Sequence, residues 1–404
     1  MIDVGKIIDK GVNVRFQPIV SVRRKSLVGF ESLVRAVDPS DGSPVPPDAL
    51  FAAAARQGLV LELDRACRAA ALSAFAPLHA KNQSLILFLN FESSIIDTGA
   101  VGSGNLIAAA RGSGVDPRNV VIEIVESKVN DTGAMRVFIE SHRAEGFLIA
   151  LDDVGEGHSN LNRIPLVRPD IIKIDRSIIG GVSREYYNRK IVEALRVLSR
   201  GIGALLLAEG VEDPEDAVAS YEAGADLFQG YFFSRPVPPE ESMRENPGPI
   251  AQVFDRGRAR ALEEYSSRQT AERLFRDALE RLSASLSGQP RDDSFSSISD
   301  WLCGIPDCEC VYLLDGEGFQ IGPTLCSESA AGARARSKLY HPADPGTDHS
   351  RKEYFCMVKE RGGWCLTEPY ISLATGSVCR TAAMCASHRE TGLIILCADF
   401  RCSA

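Results

Sequence analysis

Asp152 and Asp153 stand side by side in the stretch IALDDVGEGHSNL, at the end of an apolar run and just before a glycine-rich bend. Carboxylates on consecutive residues repel each other. An Asx turn leaving a strand would explain them without a partner; a divalent cation, or a pair of them, would absorb the repulsion and support chemistry on a bound substrate. Other polar residues interrupt or end apolar runs in the same way: Glu31 after SLVGF, Asn90 after LILFL, Glu123 within VVIEIVE, Lys173 within IIKID, Glu209 after ALLLA and Gln229 within ADLFQGYFF. One acid at a strand end is commonly a cap or turn former, but the recurrence points to a shared site. Carboxylates and an amide, with few histidines and no cysteine nearby, form a hard donor set suited to Mg²⁺ or Mn²⁺ rather than zinc.

Such a site needs a scaffold that brings many segments to one place. Nearly continuous apolar runs recur between residues 14 and 236: VRFQPIV (14–20), LILFL (85–89), VVIEIV (120–125), FLIAL (147–151), IIKI (171–174) and ALLLA (204–208). Runs of this kind mark strands buried on both faces. Helical stretches separate them. PDALFAAAARQG has Asp48 as its expected cap and Gly58 as its stop; in REYYNRKIVEALRVLSRG, Ile191, Leu195 and Leu198 share a face that Gly201 ends. Regular alternation of strand and helix predicts a parallel sheet, open or closed, and in a parallel α/β barrel catalytic groups belong at the carboxyl ends of the strands.

Composition narrows the functional classes. The chain has 404 residues, 45% apolar and 25% charged, as in ordinary soluble proteins, and room for a barrel plus a smaller module. A net charge of -9 argues against a nucleic-acid polymer as partner, but not against a small phosphate ligand. No apolar run approaches the roughly 20 residues that span a bilayer, and the start MIDVGKIIDKGVNV lacks a secretory plan, so no membrane and a cytoplasmic location are expected.

The pattern breaks on prolines near RPVPPEESMRENPGP (235–249). An Arg-, Glu-, Ala- and Leu-rich stretch follows, in which Phe275, Leu279, Leu282 and Leu286 form one helical face before Gly288 and Pro290. A surface helix packed on its own domain and a connecting helix that transmits signals or dimerises both fit. CVYLLDGEGFQIG then predicts a hairpin around Asp315–Gly318, and GLIILCADF a late strand, giving a small α+β domain over about 291–404.

Together the motifs resemble a known family. FESLVRA resembles the signature that names the EAL domain, with Ser32 where alanine is usual, and FQPIV, LNFES, VIEIVES, LDDVGEGHSNL, PDIIKIDRSII, LLAEGVED and GADLFQGYFFSRPVPPE match its other motifs in order over about residues 1–245. The resemblance implies a modified TIM (β/α)8 barrel that hydrolyses cyclic di-GMP to linear pGpG with Mg²⁺ or Mn²⁺. Carried over, Glu31, Asn90, Glu123 and Asp152 would hold a first metal, and Asp153 would help hold a second that shares Asp152. Lys173 and Glu209 would position and activate the attacking water, supported by Gln229; Gln17 and Arg35 would contact substrate, Arg35 through a phosphate. Glu126 matches a glutamate that steadies the loop after the aspartates, and Glu212 the second acid of AEGVE. A structural alternative for Lys173 is snorkelling or pairing with Asp175.

That loop departs from the family's usual DDFGTGYSSL at Val154, Glu156, His158 and Asn160. Glu156 adds negative charge near the cations. A rival reading is therefore a receptor module that binds cyclic di-GMP and hydrolyses it slowly or not at all; the retained ligand set favours the enzyme.

The last part, with its RKEYF and EPYIS stretches and a strand ending at Asp399, resembles a PAS-like or Cache-like sensory domain placed after an EAL barrel as in YkuI-type proteins. Tyr354, Tyr370 and Asp399 would line a pocket for an unknown small ligand, or simply fill the core. The expected organisation is a barrel over 1–245, a linker helix over 246–290 and a PAS/Cache-like domain over 291–404, with a homodimer expected from the habit of EAL relatives and from the helix's apolar face. Only Cys67 precedes residue 300; the other ten cysteines lie beyond it. CGIPDCEC is no standard zinc pattern, and isolated reduced thiols are expected over a disulfide framework.

Overall fold

The structure, a computed structural model, describes residues 2–98, 104–125, 131–155, 161–244, 246–288, 290–328, 330 and 339–402. Two compact units divide at residues 261 and 262, within the helix Pro247–Leu286. Among the described residues no helix is long and apolar enough to cross a membrane.

The first unit is a closed eight-stranded α/β barrel. Its strands are β1 (Asn13–Ser21), β2 (Ser26–Val37), β4 (Ile86–Phe91), β5 (Val120–Val125), β6 (Leu148–Val154), β7 (Ile171–Ile174), β8 (Leu205–Ala208) and β9 (Leu227–Phe228), with the short β3 (Pro44–Val45) on the edge of β2. They run β1-β9-β8-β7-β6-β5-β4-β2 and close through β1 and β2. β1 is antiparallel to both neighbours, and the other neighbours are parallel. This one reversed strand modifies the TIM pattern. Closure removes sheet edges and gives each strand two faces to bury, hence the unbroken apolar runs. Outward residues such as Phe16, Leu87, Ile122, Leu151 and Ile172 pack under the helices, while Ile19, Phe88, Val121, Ala150, Ile171, Leu207 and Leu227 fill the barrel interior. Gly29 stands where β2 approaches β4 so closely that a Cβ would lie 1.9 Å from the Ile86 carbonyl oxygen.

Two helix ends differ from expectation. The helix Pro47–Gln57 begins on Pro46, so Asp48 lies in its first turn rather than capping it, favourable to the helix dipole; Gly58 does end it, in the left-handed conformation. The helix Tyr186–Ile202 continues through Gly201 and stops at Gly203, and it buries Val192 and Leu195 while Ile191 is exposed.

The second unit holds a six-stranded sheet. β10 (Cys308–Asp315), β11 (Leu325–Cys326), β12 (Trp364–Leu366), β13 (Tyr370–Ile371), β14 (Val378–His388) and β15 (Gly392–Arg401) run β11-β10-β15-β14-β12, with β13 beside β14. One face packs Leu279, Leu282, Leu286, Ile298 and Leu302; the other receives the helix Glu353–Arg361 through Tyr354, Phe355 and Val358. Phe275 stacks on Phe400 with ring centroids 4.0 Å apart. The apolar face of the long helix is thus consumed by the core of its own unit. The reduced-thiol expectation also needs correction: Cys310 and Cys326 lie directly opposite on antiparallel strands and form a disulfide. The other described cysteines are free, and several are buried.

Asp399 is buried on β15, where the Thr381 hydroxyl donates to it at 2.8 Å and Ser372 at 3.5 Å. Burial pushes its carboxyl up to about 6. Because the folded value exceeds the unfolded one, Asp399 favours folding fully below about pH 4 and loses that contribution as pH rises through 6, a span on the order of 3 kcal/mol. Asp399→Asn is expected to flatten the pH dependence of unfolding free energy between pH 4 and 6. Urea denaturation of the full chain across that range checks this; an unchanged slope would reject the assignment.

Candidate active site

Strand periodicity builds the site. Side chains alternate along a strand, so residues two apart share a face. Two residues beyond the apolar interior layer, toward the carboxyl ends of their strands, come Asn90 after Phe88, Glu123 after Val121, Asp152 after Ala150, Lys173 after Ile171, Glu209 after Leu207 and Gln229 after Leu227. On the reversed strand the step runs backwards, from Ile19 to Gln17, and Glu31 follows Gly29 on β2. A polar storey thus rests on an apolar one at one mouth of the barrel.

Lys173 is 1% exposed, and its Nζ lies 2.6 Å from Glu123, 2.9 Å from Asp152 and 2.5 Å from Glu209. Asp175 instead caps the next helix through the Ser177 backbone N–H at 2.8 Å. Glu31 accepts from the Asn90 amide at 2.7 Å and from Gln229 Nε2, which also donates to Gln17 Oε1 at 3.1 Å. Gln17 in turn donates to the Ser234 carbonyl at 3.2 Å. Arg35 is half-buried, in a cavity of about 290 Å³ that Glu31 and Asn90 also line.

Burial, then the charge of Glu31, pushes the Glu123 carboxyl well above the carboxylate range, and burial does the same to Glu209 against the pull of Lys173. For Lys173, burial opposes the charge, but Asp152, Glu123 and Glu209 outweigh it and hold the ammonium well above its usual value. Burial would raise Glu31 too; Lys173 and the two amides reverse the sign. The site is therefore short of positive charge. Apart from its ion pair with Lys173, Glu123 has no hydrogen-bond donor on either carboxylate oxygen among the described residues. Ligand atoms of Glu31, Glu123 and Glu209, and separately of Asp152, Asp153 and Glu209, lie within 4.8 Å of one another. These hard oxygens, buried or half-buried, fit Mg²⁺ or Mn²⁺.

Adjacent strand residues normally point to opposite faces, yet Asp152 and Asp153 share this cluster. The β6–β7 register slips between Leu151 and Val154, and Asp153 adopts a left-handed backbone with φ 55°. Its N–H donates to Asp152 Oδ1 at 3.0 Å. The backbone strain is the cost of turning both carboxylates inward. Accordingly, Asp153→Gly should unfold at the same temperature or higher without metal, whereas Asp153→Val should lose about 1–2 kcal/mol. Thermal unfolding of both variants tests this; equal loss would show that the conformation is unstrained.

Glu212 stands apart, exposed and paired with Arg176 at 3.0 Å. Glu126, Glu156, His158 and Asn160 lie outside the described residues. Sequence reasoning missed Asp64 and Arg68, a buried ion pair on the helix Val60–Lys81 that lines the same cavity, with Asp64 accepting from the Glu92 N–H at 3.1 Å. Two opposite charges four residues apart on a helix's buried face were the available signal.

Comparisons with known proteins give the chain's family and fold. Probable cyclic di-GMP phosphodiesterase PdeN of Escherichia coli is 31% identical over 57% of this chain and 44% of its own. This chain thus spans less than half the length of such curated relatives. The EAL-domain containing protein YkuI of Bacillus subtilis is 25% identical over 91% of this chain and 89% of its own. A crystal structure of YkuI with cyclic di-GMP and calcium has the same fold, at a TM-score of 0.81 over 100% of both chains and 22% identity. Klebsiella pneumoniae BlrP1, solved with manganese and cyclic di-GMP, matches 56% of both chains at 28% identity and a TM-score of 0.51. The EAL domain family itself matches residues 5–236, and the chain belongs to it.

Proposed function

We propose that the barrel hydrolyses cyclic di-GMP to linear pGpG. The observation that carries this reading is the buried carboxylate cluster around Lys173, supported by the relatives named for that activity. Glu31, Asn90, Glu123 and Asp152 would hold one divalent cation, and Asp152 and Asp153 a second. Bound there, Mg²⁺ or Mn²⁺ would help ionise a water and neutralise charge on the phosphate.

This chain's own residues do the rest. Lys173, held as a cation by its three carboxylate partners, stabilises the hydroxide form of the attacking water by charge rather than by taking its proton. Glu209, whose buried carboxyl readily keeps a proton, receives it. Gln229 fixes the rotamers of Glu31 and Gln17, and Arg35 grips a phosphate of the ring. Attack at phosphorus breaks the P–O3′ bond and leaves a 5′-phosphate. The carboxyl-terminal unit would act as a PAS/Cache-like regulator with a small ligand beside Tyr354, Tyr370 and Asp399, and the protein would work as a homodimer.

Incubating the purified chain with cyclic di-GMP and Mn²⁺ or Mg²⁺, and resolving products by chromatography, tests the reading. It expects pGpG. Tight binding without pGpG would replace the enzyme by the receptor.

A further inference from the structure

Building on the cyclic di-GMP reading, we infer that Arg15 acts with Arg35 to hold the phosphate that is not being cleaved. Register carries the argument. On the antiparallel ribbon Gln17 faces Glu31, Arg15 faces Leu33 and Asn13 faces Arg35. By alternation Arg15 projects from the same face of β1 as Gln17, and Arg35 from the same face of β2 as Glu31. Most of the opposite face is covered: Val12, Phe16 and Ala36 pack beneath the helices, while Val14 and Val34 also line the cavity that holds Arg35. Both side chains therefore leave the ribbon on the face that carries Gln17 and Glu31. Arg15 stands two residues from Gln17, about 7 Å along the strand, a rise comparable to the span of a cyclic dinucleotide ring.

Among the described residues no ion pair balances the two guanidiniums, and Glu31 and Tyr231 act on Arg35 only through their charge. Arg15 donates to the Pro236 carbonyl at 3.3 Å and Arg35 to that of Val34 at 2.8 Å. Burial, then the charge of Arg15, depresses the Arg35 guanidinium. Two neighbouring like charges, Arg35 lining the cavity and Arg15 exposed beside it on the ribbon, suit a ligand that brings its own anion. A cyclic dinucleotide does so: with one phosphate over the carboxylates, the other projects toward the ribbon.

The test measures kcat and KM with cyclic di-GMP, and Kd by calorimetry with Ca²⁺, for the full-length chain and for Arg15→Ala and Arg15→Lys. Arg15→Ala should raise KM and Kd about tenfold, the loss of one charge-assisted hydrogen bond, with kcat within about twofold, and lysine should restore most of it. Unchanged KM and Kd, or a fall in kcat that lysine does not rescue, would overturn the inference. If the wild-type chain binds cyclic di-GMP without cleaving it, the enzyme reading fails while the ratio of Kd values still decides the role of Arg15. Absence of any wild-type binding would reject both.

Discussion

Glu31→Ala is expected to abolish turnover of cyclic di-GMP, lowering kcat by about 10³-fold or more, on the order of 4 kcal/mol of transition-state stabilisation. Glu31 joins the two halves of the site: it accepts from Asn90 and Gln229 and lies within ligand distance of Glu123 and Glu209. Its removal would take away a proposed carboxylate ligand and would free Gln229, which also donates to Gln17. Folding should survive, because the variant also relieves the repulsion that Glu31 exerts on Glu123. Steady-state kinetics with a matched thermal scan separates the two effects. An active Glu31→Ala enzyme would dismiss the metal assignment.

Lys173→Met should damage both stability and catalysis. The ammonium is the partner of Glu123, Asp152 and Glu209 in a nearly dry interior. Removing one member of a buried ion pair leaves an uncompensated charge and costs about 3–5 kcal/mol, which for a unit of this size is on the order of 10 °C in Tm. Two observations should accompany the loss. The variant should approach the wild type in stability as pH falls, because protonation of Glu123 and Glu209, already favoured by burial, removes the unbalanced charge. Added Mn²⁺ should raise the variant's Tm more than the wild type's, as a cation takes over the neutralising role. Calorimetry across pH with and without Mn²⁺ is the measurement. An unchanged Tm would mean that Lys173 is not the counter-charge of the cluster.

Much of this arrangement was legible before any coordinates. Apolar runs showed the strands because a closed barrel buries both strand faces, and the polar residues stood out because they interrupt or end those runs, most of them two residues after an interior apolar one. Asn90, Glu123, Lys173 and Glu209 needed only that rule to fall on one mouth. What stayed hidden depended on pairing between distant segments. The reversal of β1 leaves no mark in its own composition, yet it closes the barrel and sets Gln17 opposite Glu31. Simple alternation would send Asp152 and Asp153 to opposite faces; only the register slip and the positive φ of Asp153 show how both turn inward. Asp64 and Arg68 looked like ordinary helix charges, and Cys310 and Cys326 meet only because β10 and β11 pair in one register.

The most direct test of the central claim is a crystal of the full chain grown with Mn²⁺ and cyclic di-GMP, measured at the manganese edge. The account predicts anomalous peaks bonded to oxygens of Glu31, Asn90, Glu123, Asp152 and Asp153, with one phosphate of the ring on the metal. Manganese bound elsewhere, or a dinucleotide seated in the barrel mouth away from these carboxylates, would contradict it.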